Sequence, residues 1–107
     1  MNAWTTPTQK INVCSRGETP DFQTAARVWI DYRQFGQKIL TKEKGDMVFE
    51  ENKITVRFSQ EETGKFIPGS VPVWGMINAV WPDGTRMVTK KFSFLVDENF
   101  TDGVVMP

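Results

Sequence analysis

The chain contains no histidine and only one cysteine, and its 13 lysines and arginines are balanced by 13 aspartates and glutamates over 107 residues. Without histidine there is no serine–histidine triad, no imidazole-ligated metal and no imidazole general base. The lone Cys14 forms no internal disulfide and no cysteine-based zinc cluster. With no histidine to activate it, Cys14 reads as a small half-buried strand residue. Zero net charge with intermixed signs leaves Lys90-Lys91 as the densest basic pair, far short of the basic face that displaces counterions from nucleic acid. No nucleic-acid partner is expected. Weak net repulsion does favour self-association or lasting contact with a partner.

Other absences narrow the reading further. No apolar run approaches the ~20 residues of a membrane helix, and residues 1–7 lack both the basic and the apolar region of a signal peptide, so synthesis in a cytoplasm and no membrane partner are expected. The glycines at 45, 64, 69, 75 and 84 are isolated, and neither phosphate-loop spacing occurs. Asp46, Asp97 and Asp102 lack calcium-loop spacing. The paired acids Glu50-Glu51, Glu61-Glu62 and Asp97-Glu98 fall in turns or at a helix start, where carboxylates serve solubility and capping. A small acid-pair enzyme would need Glu50, Glu51 and Asp97 to converge in one pocket. No enzyme activity, cofactor or metal is expected.

What is present is strand and turn chemistry. Residues 1–7 read as a polar, flexible arm with Trp4 as its only large apolar group, and residues 8–107 as one domain. Residues 9–14 place Ile11 and Val13 on one side of a strand that ends at the turn 16–20. Residues 26–33 alternate with period two, setting Ala26, Val28, Ile30 and Tyr32 against Arg27, Trp29, Asp31 and Arg33. A turn at 34–37 leads to a strand over 38–42, and residues 47–49 pair with 54–58 across the polar turn 50–53. Ser59-Gln60-Glu61-Glu62 fits a capping box, which predicts a one-turn helix closed by Gly64. Residues 71–81 and 86–96 form a long hairpin about Pro82-Asp83-Gly84. Six to eight short strands with one single-turn helix predict an all-β, immunoglobulin-like antiparallel sandwich, without the cysteine–tryptophan–cysteine spacing of antibody domains.

The strand 71–81 is apolar on both parities. Trp74, Met76 and Val80 share one side, and Val73, Ile77, Ala79 and Trp81 the other. One side fills the sandwich; the other meets a neighbouring subunit or a covering loop, because exposed apolar faces mark interfaces. The candidate interface is therefore Trp29 with Arg27 and Arg33, together with Trp74, Met76 and Trp81. The alternative use of Trp29 or Trp74 is as a stacking platform for sugar rings.

In order along the chain, Arg16-Gly17-Glu18-Thr19-Pro20, then Ser59-Gln60-Glu61-Glu62-Thr63, then Asp83-Gly84, then Asp102-Gly103-Val104-Val105 are set out as in a known group. The pattern resembles a family of small proteins from bacteriophages and prophages of Gram-positive bacteria, in which an RG(D/E)TP opening, a QEET middle, a DG turn and a DGV end recur. The resemblance implies a β-sandwich structural protein of the tail or baseplate, non-enzymatic, made in the host cytoplasm and then carried in the virion. Its implied partners are other phage structural proteins or further copies of itself, with a host-surface glycan as the alternative. Each motif also reads as punctuation between strands: a turn, a helix cap and a hairpin closure.

Overall fold

The computed structural model describes residues 1–13, 21–50, 53–89 and 91–107. Eight strands and one helical turn follow one another: β1 (Thr8–Asn12), β2 (Arg27–Gln34), β3 (Gln37–Glu43), β4 (Met47–Glu50), β5 (Lys53–Arg57), α1 (Gln60–Thr63), β6 (Val73–Val80), β7 (Arg86–Val88) and β8 (Phe92–Phe94). Two further single-turn helices of the 3-10 type, Phe22–Thr24 and Lys44–Asp46, lie at crossings between the sheets. Cys14, the 16–20 turn, Glu51, Asn52 and Lys90 lie outside the described residues.

The strands form two antiparallel sheets, a three-stranded one ordered β1-β5-β4 and a five-stranded one ordered β3-β2-β6-β7, with β8 also on β6. The molecule is an all-β sandwich. Its order matches the B-E-D and C′-C-F-G sheets of an immunoglobulin-type domain, with α1 in the crossing between E and F. Among the described residues β1 pairs with β5 alone, so no strand occupies the A position beside it.

Period-two patterning decides which face of each strand is inside. On β2, Val28, Ile30 and Tyr32 are fully buried, and the register sets Ile30 beside Ile77 and Val28 beside Ala79 of β6. Ile54 and Val56 of β5 close the core from the other sheet. The Tyr32 ring is the centre of an aromatic cluster with Phe58, Phe66, Phe92 and Phe94, at centroid separations of 5.4–6.2 Å. Gly75 sits opposite Tyr32, where a Cβ would overlap the Phe92 ring, so this close approach requires glycine.

Among the described residues every buried side-chain nitrogen and oxygen has a hydrogen-bond partner. Tyr32 donates from its hydroxyl to Gln9 at 2.9 Å. Gln34 is buried and spans the loop before β6, donating to the carbonyls of Ile67 and Val71 and accepting from the Ile67 amide. Lys42 points into the sandwich and holds both oxygens of Glu62 at 2.8 Å, with Asp46 at 3.4 Å. Glu62 in turn accepts from the Ser59 amide while Ser59 accepts from that of Glu62, so the expected capping box is present. Burial would push the Glu62 carboxyl up, but bonds from Lys42 and Ser59 outweigh it and hold it below the ordinary range. Burial, with the Glu62 charge added, pushes the Tyr32 hydroxyl far above its usual range.

Two expectations are corrected. Residues 1–7 are docked: the Ala3 amide donates to Asp97, the Asp97 amide donates to Met1, and the buried Thr63 hydroxyl donates to the Thr5 carbonyl while accepting from its amide. The expected strand 86–96 is two strands, because the register on β6 moves by one residue between β7 and β8. At the break the Thr89 hydroxyl accepts from the Ile77 amide, replacing a ladder carbonyl.

Candidate functional site

Alternation along β2 and β6 sends their second set of side chains to the outer face of the five-stranded sheet. Register then brings those sets together: Arg27 lies beside Val80, Trp29 beside Asn78, Asp31 beside Met76, and Arg33 beside Trp74. β7 adds Arg86 and Val88 to the same face, and β3 adds Thr41 and Glu43. Five of the six residues singled out in the sequence, Arg27, Trp29, Arg33, Trp74 and Met76, thus meet on one face of the sheet.

Trp81 does not join them. It follows the opposite parity, stacks on Phe22 at 6.3 Å, and donates from its indole nitrogen to Thr24 at 3.1 Å and to the Asp21 carbonyl at 3.3 Å. Its role is to close one end of the core.

The outer face has two unlike halves. Around Trp29 the side chains are engaged with one another: the Arg27 and Arg86 guanidiniums lie 4.3 and 5.5 Å from the ring centroid, and Arg27 pairs with Glu43 at 2.6 Å. The bond from Glu43 raises the Arg27 pKa further. Around Trp74 the surface dips into a groove of about 450 Å³ lined by Asp31, Arg33, Trp74, Met76, Asn78 and Lys91. Trp74 is 41% exposed, with the Lys91 ammonium 4.8 Å from its centroid. Asp31 is already engaged, accepting from Thr41 at 2.6 Å and lying 3.8 Å from Lys38. Arg33 and Lys91 enter none of the ion pairs among the described residues, so the groove holds two cations without a carboxylate partner there, one of them over the indole.

The β2–β3 turn forms the near wall through Gly36. Phe35 and Gly36 both adopt positive φ, 53° and 73°, as a two-residue turn of this hand requires. Asp31 and Asn78 share strand parity with Trp29 and Trp74, so their place was readable. Lys91 belongs to the irregular join of β7 and β8, where strand parity carries no signal.

A larger and more open hollow, about 650 Å³, is lined by residues 68–70 and 96–98 with Asp102. Its acids do not gather, and among the described residues no group of three or more histidine, cysteine, aspartate or glutamate side chains is placed to hold a metal. Glu50 ends β4 in one sheet and Asp97 follows β8 in the other, while Glu51 lies outside the described residues. No family, curated protein or solved structure matches the chain.

Proposed function

We propose that this chain is a non-enzymatic structural protein of phage or prophage origin, of the tail or baseplate class, which acts by protein–protein assembly through the outer face of its five-stranded sheet. The observation that carries the reading is that face: Trp29, Trp74, Met76 and Val80 on the central strands β2 and β6, with Val88 on the neighbouring β7, stand among arginines, and Trp74 and Val88 are exposed. Aromatic and arginine side chains on a rigid sheet are the composition of interface hot spots. The phage assignment is supported by the ordered motifs at 16–20, 59–63, 83–84 and 102–105. Before assembly the protein belongs to the host cytoplasm and afterwards to the virion. Co-expression with the proteins encoded by the neighbouring genes, tail and baseplate proteins on this reading, tests this. The wild type is expected to co-purify with at least one, and Trp29→Glu/Met76→Glu to lose it while still unfolding in one cooperative transition. Absence of any complex with those proteins, or binding that survives the charged substitutions, contradicts it.

A second reading, recognition of a host-surface glycan, is favoured by one feature: the Trp74 groove, where an indole stands beside the polar groups of Asp31 and Asn78. Trp29 is less suited, since it is the less exposed of the two and lies outside the groove. A glycan array whose signal disappears in Trp74→Ala decides for this reading.

A further inference from the structure

The loop after β8 carries features that the fold itself does not use. Phe100 is 97% exposed, yet the segment bearing it is tied down on both sides. Asn99 donates to the Ala3 carbonyl at 3.0 Å and accepts from the Thr101 amide at 3.0 Å; further on, Gln60 donates to the Val105 carbonyl at 3.0 Å and accepts from its amide at 2.8 Å. The loop therefore presents an aromatic ring from a fixed base, which reduces the ordering cost of docking it. Glu98 and Asp102 flank the ring, both exposed and outside every ion pair among the described residues.

This is the chemical complement of the Trp74 groove. The loop offers an apolar ring between two carboxylates, and the groove an indole and Met76 beside two cations, Arg33 and Lys91, none of these four charges being in an ion pair among the described residues. Both lie toward the same end of the sandwich: the groove is bounded by the β2–β3 turn and the start of β6, and the loop leaves β8 where Phe94 pairs with Val73 at that same start of β6. Two patches at one end, complementary to each other, suit a two-fold pair in which each copy gives a loop and receives one.

We infer that the occupant of the Trp74 groove is the Phe100 loop of a second copy of this chain, forming a reciprocal dimer. The inference rests on the assembly reading of the outer face and names one partner for it. Steering by the opposed charges makes the pairing salt-sensitive.

Sedimentation equilibrium on the full chain is the test. The wild type is expected to dimerise with a dissociation constant on the order of micromolar, weakening at least about tenfold in Phe100→Ala and between low and high salt. Phe100 is almost fully exposed, so this variant keeps the test valid even where Trp74→Ala misfolds. Mixing Phe100→Ala with Trp74→Ala restores one of the two contacts, and the mixed pair is expected to form more tightly than either variant with itself. Mixing Arg33→Glu/Lys91→Glu with Glu98→Arg/Asp102→Arg is expected to do the same through swapped charges. A wild type that stays monomeric at about millimolar concentration, grows past dimers, or dimerises unchanged in Phe100→Ala overturns the inference. A monomer that still binds neighbouring tail proteins through Trp29 and Met76 leaves the assembly function standing, so the two failures are told apart.

Discussion

On β2, Val28, Ile30 and Tyr32 have no solvent exposure, while Trp29, Asp31 and Arg33, each one residue away, build the outer face. The inner set is held by other elements: β6 beside it, β5 across the core and the Phe58–Phe66 cluster on Tyr32. The outer set is held mainly by its own neighbours, through Arg27 on Trp29 and Thr41 on Asp31. The same strand thus carries residues whose loss is felt by the whole domain and residues whose loss is felt only at the surface. Burial concentrates on one face, and the surface proposed for binding lies on the other.

The largest effect that sharpens this contrast is expected from Ile30→Ala. Ile30 is fully buried between sheets, and the cavity left behind adds to the lost transfer energy, so about 3 to 4 kcal/mol of stability should disappear. Urea unfolding with an unchanged slope and a lowered midpoint measures it. A cost under about 1 kcal/mol would mean that the two sheets do not close on this residue.

The next effect concerns the polar part of the inner face. Glu62→Gln leaves the buried Lys42 ammonium with Asp46 at 3.4 Å as its one remaining carboxylate, and about 2 kcal/mol should be lost at neutral pH. The sign of the pH dependence follows from the direction of the shift. Glu62 is held below its ordinary value in the folded state, so its stabilising contribution is complete above the unfolded-state pKa of about 4.3 and is lost as pH falls through the lower folded-state value. Wild-type and Glu62→Gln unfolding midpoints should therefore converge as the solution is acidified below that range. Parallel curves would show that the pair contributes nothing that titrates.

These two variants also mark what the sequence could and could not disclose. Ile30 is legible because period two over 26–33 leaves no other face for it, and the one-turn helix is legible because Ser59 and Glu62 carry their capping partners within four residues. Lys42 is not. Its placement inside the sandwich depends on Glu62, 20 residues away, and on a chain crossing that no local pattern encodes. Gln34 and Thr63 were missed for the same reason, since each satisfies backbone groups of a distant loop. The docking of residues 1–7 follows from Thr63 and the Asp97 backbone, so a short polar segment looked free only because its partners lie 58 or more residues away in the chain. At the outer face, parity alone grouped Trp29 with Arg27 and Arg33, and Trp74 with Met76. That these two groups form one surface required the β2–β6 register, and excluding Trp81 from it required only the parity already in hand.

The smallest effect is the one that can break the comparison. Trp29 is larger than Ile30, and judged by size its removal would be the more damaging. Its ring is only half-buried, however, and what it loses on truncation is the stacking of Arg27 and Arg86, worth about 0.5 to 1 kcal/mol at a partly exposed site. Trp29→Ala is therefore expected to lower stability by no more than about 1 kcal/mol, at most about a third of the effect of its neighbour. Thermal and urea unfolding of the two variants side by side gives the ratio directly. Were Trp29→Ala to cost as much as Ile30→Ala, the outer face would be part of the load that keeps the sheet together, and its aromatic and basic side chains would need no partner to account for them. A small cost leaves an indole and two guanidiniums that the folded chain does not require, and a partner is the explanation that uses them.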